Sequence, residues 1–446
     1  MGLSRSLTIG ASSLNAHRQK FDVISNNIAN ANTTGYKSTR ANFADQLSQI
    51  YKYGRTPDII GGNGAGGLNP TQYGLGVKVG SITTDMSQGA VETTNRPLDM
   101  ALNGEGYFVY NLNGQQVYSR AGAINWDKGG NLVDSTTGAI LQGYNITYGG
   151  TGRMAKDSND INILNKNLSN LNISQNVVSS PKQTSTATVN GNLDLSMAVG
   201  ASKDVSINIY DNLGGTKSLN LTFTKQAPTG TPPVTTFGIS AKVGGTSVTL
   251  PSTSVTFNSD GTIKTPTSLQ IDTAGLTALN TAFGGTPFDT TKPININLAD
   301  PNNLMSGLTS FTGASTANFL DQNGYAQGSL QDISVDLNGK IWGSFTNGVS
   351  EILGQLSVAK FENPSALTKR GDNFLSVAPN SGTPNIGTAG EIFPSTSVIG
   401  NALESSNVEM TEQFTDMIST QRGYESAART ITVTDQMLQE INQLKR

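Results

Sequence analysis

Residues 3–37 read LSRSLTIGASSLNAHRQKFDVISNNIANANTTGYK. Leu3, Leu7, Leu14, Phe21, Ile24 and Ile28 fall on one series of alternating four- and three-residue steps, with Gly10 and His17 in the gaps. That spacing predicts one long helix with an a/d seam. About 28 residues at 1.5 Å each make a rod on the order of 40 Å. The Asn, Thr and Gly35 cluster then stops it, because these side chains compete with the backbone or permit positive φ. An isolated helix of this composition is marginal in water, so the seam requires a partner.

The opposite end of the chain supplies one. Met410, Phe414, Met417, Gln421, Tyr424, Ala428 and Ile431 repeat the same steps, and Leu438, Ile441 and Leu444 continue the stripe after a slip of phase. Ser406-Asn-Val-Glu409 reads as a capping box that starts this helix. Arg5, Arg18 and Lys20 outnumber Asp22 at the N-terminal end. At the C-terminal end Glu404, Glu409, Glu412, Asp416, Glu425, Asp435 and Glu440 outnumber Arg422, Arg429, Lys445 and Arg446. A basic helix and an acidic helix prefer each other to themselves. Periodicity alone allows equally two helices packed inside an ordinary monomer.

Asn26–Lys37 resembles the N-terminal signature of the bacterial flagellar axial proteins, the rod, hook and hook-associated family. Its motif falls here on Asn27, Asn30, Asn32, Gly35, Tyr36 and Lys37. Glu404–Glu409, Met417–Tyr424 and Thr434–Leu438 resemble that family's C-terminal signature, in the expected order. One departure is Gly423, inside the helix, where the family usually carries a larger residue. An interior Gly costs up to about 1 kcal/mol against Ala.

Composition narrows the classes. Of 446 residues, 14% are charged, below the usual quarter, and the net charge is −3. No clustered Lys and Arg point to nucleic acid or an anionic membrane. Fifty Gly with abundant Ser, Thr and Asn suit β structure with many turns. With no Cys, disulfides and thiolate metal sites are excluded. No apolar run is long enough to span a bilayer, and the N-terminus lacks the unbroken apolar core of a cleavable signal. Those features alone suggest a cytoplasmic protein. The resemblance instead implies export through the flagellar type III apparatus, with the N-terminus left uncleaved.

Residues 33–90 read as a connector, with Phe43, Leu47, Ile50 and Tyr51 extending a short helix before the Gly61–Gly67 run. That run lacks the Lys-Ser/Thr of a phosphate loop and reads as a flexible loop. Residues 51–74 look like an insertion, similar to one carried by distal-rod proteins. Leu75–Val79 resumes a strand. An inner β domain is expected from 91–150 with 321–404. Asn113-Gly114 marks a hairpin within it, and Gly104-x-Gly106 is a turn rather than a dinucleotide fingerprint. Residues 151–320 read as an all-β outer insertion: Val205, Ile207 and Ile209 alternate, Asp211–Gly215 turns, and Leu219, Leu221 and Phe223 alternate back. Ser254–Ile263 gives another hairpin. Asp321–Gly328 and Asp336–Gly343 share a D-x-N-G pattern; without flanking helices or a twelfth-position Glu they read as hairpin turns, not calcium loops.

His17 is the single His, and it sits at a seam position beside Arg18 and Lys20. Without Cys or a second His, triads, zinc sites and thiol chemistry are closed off. A pair of carboxylates for sugar hydrolysis stays open by counting, since Asp and Glu total 32, but no paired motif stands out. No catalytic, cofactor or metal site is assigned.

The reading is a mainly β protein with an α-helical stem. Residues 1–32 and 405–446 pair as a coiled-coil-like stem, which carries a nested, discontinuous inner β domain and an inserted outer β domain. Stems that make heterologous, non-closing contacts build helical fibres. The resemblance names the fibre as the flagellar hook, because a rod protein largely lacks so large an insertion. It implies a curved tube outside the cytoplasm that carries torque from rod to filament and serves as an export channel. The partners implied are further copies of the chain, the distal rod, the hook cap, the hook–filament junction proteins and the export apparatus. Distal-rod protein and secreted β-rich carbohydrate-binding protein or glycosidase are the competing readings.

Overall fold

The computed structural model describes residues 2–57, 66–148, 154–157, 161–228, 234–285, 287–300 and 306–444. The two terminal stretches are helices as expected: α1, Gly2–Ala29, and α3, Met410–Leu444. Gly35, at φ +69°, turns the chain after α1, and a Cβ there would come within 2.7 Å of Ala121 N. A side-chain-bearing residue would thus be both strained and too close. No helix among the described residues is long and apolar enough to cross a membrane.

The capping box does not form. Ser406 Oγ accepts from Val408 N at 3.3 Å, two residues on, and α3 opens with the Glu409 carbonyl accepting from Gln413 N at 3.0 Å. Asn407 is instead committed to the connector, accepting from Ser38 N and donating to Asp85 O.

The connector is also not helical where a short helix was expected. Thr39–Asp45 pairs antiparallel with Val77–Thr84, and Ser48–Lys52 with Thr71–Gly74. Arg55 then bridges Leu68. Phe43, Leu47, Ile50 and Tyr51 have helical spacing, but complementary strands further along the chain pair Phe43 with Val79 and Ile50 with Gln72, and Ile and Tyr favour the ladder. The ribbon lies along α1, where Arg5 reaches Gln49 Oε1 at 3.3 Å and covers the Tyr73 ring. Most of the Gly61–Gly67 run lies outside the described residues.

Beyond the ribbon is a sheet of fourteen strands. Its central order runs 328–335, 340–345, 350–356, 140–145, 107–112 and 115–119. Asn113 and Gly114 make the hairpin, both at positive φ. Met100, Leu102, Phe108, Tyr110, Ile124, Leu141 and Ile341 form its core, and the Tyr110 hydroxyl donates to Ala121 O.

The expected start of the outer insertion at residue 151 is displaced. Ser169–Asn170 pairs with 142–143, Val178–Ser179 pairs with 328–329, and Met154, Leu171 and Ile173 join the inner core. Alternation is weak there, so the sequence gives no sign that these short strands belong to the inner sheet. The separate outer core begins at Thr186–Asn192 and closes at Asn318–Gln322. Its six-stranded sheet contains the expected hairpins, with Val205 opposite Leu221 and Phe257 opposite Ile263. It is not all-β: α2, Thr273–Ala282, packs Leu276 and Leu279 into the core, capped by Asp272 Oδ1 accepting from Gly275 N at 2.8 Å. Gly275 and the Thr residues have low helix propensity and hid it. Asp336–Gly339 is a hairpin turn, whereas Asp321–Gly324 leads out of the outer unit and is not one.

Candidate functional site

The structure gathers the N-terminal motif and the C-terminal signature into one buried root where both helices leave the β body. Asn27 closes α1 and is 1% exposed. Its Nδ2 donates to Thr39 O at 2.8 Å and to Gln413 Oε1 at 3.0 Å. Its Oδ1 accepts from Thr39 N at 3.0 Å and from the Tyr36 hydroxyl at 3.2 Å. Every donor and acceptor of the amide is used, as burial requires. Gln413 comes from the first turn of α3, so this one side chain joins both ends of the chain.

Behind it lies a buried charge cluster. Glu404 Oε1 accepts from Lys37 Nζ at 2.7 Å and from Gly89 N at 2.9 Å, and Oε2 pairs with Arg120 at 3.3 Å. Arg120 also donates to Leu102 O and to Gly104 O, tying the cluster to the inner sheet. Gly35 N donates to the main-chain oxygen of Glu404 at 2.7 Å. Burial lowers the Lys37 pKa, and the Glu404 carboxylate opposes that shift. Lys369 stacks its ammonium on the Tyr36 ring and donates to Lys37 O. Lys37, Tyr36, Asn27 and Gly35 thus meet at the root. Asn30 bonds only locally, donating to Asn26 and accepting from the Thr33 hydroxyl, and Asn32 is exposed. Arg120 and Gln413 were missed in the sequence, and no local pattern marks either one.

From the root the helices run antiparallel. Asn27 meets Gln413, Lys20 meets Asp416 at 3.4 Å, His17 meets Gly423 and Gly10 meets Ile431. The expected seam is only partly inside. Ile24 is buried, while Leu7, Leu14 and Ile28 are half-buried, Phe21 is exposed, and the Leu3 side chain lies outside the described residues. On α3, Met417, Ala428, Ile431 and Leu438 are half-buried, but Met410, Phe414, Gln421, Tyr424 and Ile441 are exposed. The buried positions are Gln413, Thr420, Ala427 and Thr434, a seven-residue repeat of small and polar side chains. The Asn27–Gln413 bond and the close approaches at Gly10 and Gly423 rotate α3 away from the expected face. Large side chains are therefore left outside, and with Ile418, Val433 and Met437 they give α3 an apolar surface. A hollow of about 270 Å³ lies between the helices, walled by His17, Phe21, Thr420 and Tyr424.

Four family models match along the chain. Residues 7–37 match the flagella basal body rod protein model, and 101–180 match the D1 domain of flagellar hook protein FlgE/F/G. Residues 192–325 match the flagellar basal body protein FlaE D2 domain, and 399–444 match the C-terminal model of the flagellar basal body rod FlgEFG proteins. The flagellar hook protein FlgE of Treponema pallidum is 34% identical over 483 residues, covering 100% of both chains. This chain belongs to the flagellar hook protein family.

The hook proteins of Borreliella burgdorferi and Escherichia coli are each 31% identical, over 99% and 97% of this chain and 100% and 98% of theirs. The solved Helicobacter pylori hook protein FlgE2 aligns with 70% of this chain and 100% of its own, at 14% identity and a TM-score of 0.48. As a hook protein the chain is a structural subunit of the flagellar hook, outside the cytoplasm. The two basal body rod models reach the root: one ends on Lys37 and the other includes Glu404.

Proposed function

We propose that subunits polymerise through the stem into a curved tube that transmits torque and encloses an export channel, and that the chain has no enzymatic role. The observation behind this is the apolar surface of α3, where Phe414, Ile418, Tyr424, Met437 and Ile441 stay exposed in a single subunit. The expected seam residues serve assembly: those on the inner face join α1 to α3, and those outside meet neighbouring stems. Burying each such side chain contributes about 1.5–3 kcal/mol. The stem, connector, inner and outer β units act as separate parts. The distal rod, hook cap, junction proteins and export apparatus are the contacts at the tube's ends.

Electron microscopy of the concentrated protein tests the reading. Curved hollow tubes are expected, and Phe414→Ser with Ile418→Ser prevents them without changing the unfolding of the β body. Tubes formed normally by that variant would overturn the assignment of α3.

A further inference from the structure

The chain crosses twice between the inner and outer β units, at residues 180–185 and 323–327. One inner-sheet carboxylate holds both crossings. Glu351, on Ser350–Leu356, is 5% exposed. Its Oε1 accepts from Lys156 Nζ at 2.7 Å and from Ser179 Oγ at 3.1 Å. Lys156 Nζ also contacts the Tyr325 hydroxyl at 3.1 Å. Ser179 precedes the outgoing crossing, and Tyr325 lies on the returning one, bridged to Lys182. Burial lowers the Lys156 pKa, but the hydrogen bonds it donates to Glu351 and Tyr325, with their charge, outweigh that and leave the pKa raised.

The other ends of the crossings are fixed to the outer unit. Gln183 Nε2 donates to Asp289 O and Lys292 O, and its Oε1 accepts from Asp289 N. Asn323 Oδ1 accepts from the main-chain nitrogens of Ser185 and Thr186. Beside the crossings is a cleft of about 450 Å³, with Tyr148 and Val178 on the inner side and Leu213 on the outer side. Leu213 and Tyr148 are exposed on its walls, and the cleft closes where Gly214 lies beside Pro181 and Gln327. The cleft gives the outer unit room to lean, and the polar ties resist that motion.

We propose that the Lys156–Glu351 pair, together with Tyr325, positions the outer β unit against the inner one and so sets the curvature of the assembled tube. The effect on curvature rests on the tube assembly proposed above; the angle between the units does not. A buried carboxylate has a strong preference for its one cation. Lys156 is therefore held in place, and through Tyr325 it holds the returning crossing.

The absence of Cys permits a direct test. Spin labels on Thr136→Cys and Ser247→Cys, exposed positions on the inner and outer units, report the inter-unit distance in the full-length subunit. Tyr325→Phe removes the phenol contact and leaves the ion pair. Lys156→Met with Glu351→Gln removes both charges, leaving neither buried alone. A single narrow distance is expected for the parent. Tyr325→Phe widens it at an unchanged melting temperature, and the double variant widens and shifts it further. The tubes of both variants change curvature. Unchanged distances in Tyr325→Phe, or in a folded double variant, would overturn the proposal. If the double variant does not fold, Tyr325→Phe decides alone. Loss of tubes with the expected distance changes would count against the assembly reading and leave this one standing.

Discussion

The imidazole of His17 lies over Gly423, so close that a Cβ at 423 would come within 2.6 Å of Cε1 and 2.8 Å of Nε2. Phe43 meets the same ring edge-on at 5.5 Å, which limits its freedom to swing aside. Gly423 is therefore matched to the His on the facing helix. Gly423→Ala gains up to about 1 kcal/mol in helix propensity but loses more to the displaced ring. Paired with His17→Ala, the same substitution becomes stabilising. A double-mutant cycle on stem unfolding in the polymer checks this; additive effects would show that the two residues do not interact.

His17 also sets a pH response. Burial, and secondarily the Lys20 charge, lower its pKa below 6.5. The groups around it from α1, α3 and the ribbon are Arg18, Lys20, Gln421, Tyr424 and Phe43, with no carboxylate among the groups that shift it. The native stem therefore resists a proton that the unfolded chain accepts. Stem stability is intact above 6.5 and falls as pH drops through that value toward the lower native pKa. In the polymer, His17→Gln should flatten this slope between about pH 6.5 and 5, before carboxylates titrate. An identical slope in the variant would remove His17 as the cause.

At the root, Glu404→Ala leaves Lys37 and Arg120 buried without their carboxylate, at a cost of about 3–5 kcal/mol. Lys37→Met leaves Glu404 with Arg120 and Gly89 N, so it costs less. Denaturant titration of the two variants orders them. Equal costs would mean that Glu404 acts through Lys37 alone.

The sequence revealed the long helices, the nested order and most hairpins, because their signals are local: a seven-residue rhythm, Asn113-Gly114, and alternation on either side of Asp211–Gly215. What it did not reveal depends on distant partners. Phe43 and Ile50 have helical spacing, yet they sit in strands because Val77–Thr84 and Thr71–Gly74 are available to pair. The face of α3 was misjudged for a related reason. The apolar steps were real, but Gly10, Gly423 and the Asn27–Gln413 bond fix its rotation. Arg120 carries no local mark at all; its role exists only because folding sets it beside Glu404.

The inner and outer β units have hydrophobic cores without a shared residue. Ser185 and Asn323 are joined by a 2.9 Å hydrogen bond, so the two ends of the outer unit lie side by side. Replacing 186–322 with a short Gly-Ser linker should leave the inner unit with one cooperative unfolding transition. Loss of that transition would mean that the outer unit completes the inner core.

The final prediction concerns the subunit before assembly. Among the described residues, the stem's inner face buries Ile24 as the one large aliphatic side chain on α1, and Gln413, Thr420, Ala427 and Thr434 on α3. Removing small or polar groups from water contributes little, whereas ordering each backbone residue costs about 1–2 kcal/mol. Beyond the root, pairing of α1 with α3 thus has little to offset the entropy of 28 and 35 helical residues. Neighbouring stems that cover Phe414, Ile418, Met437 and Ile441 supply what one partner does not. Hydrogen exchange on monomer and polymer separates the two states. Amides of 3–20 and 417–441 should exchange fast in the monomer and slowly in the polymer. Those near Asn27 and Gln413 should be protected in both, because the Asn27 amide is buried and fully hydrogen-bonded within a single chain. Uniform strong protection along the monomer stem would mean that α1 and α3 hold each other without neighbours, and the assembly role of the α3 surface would lose its physical basis.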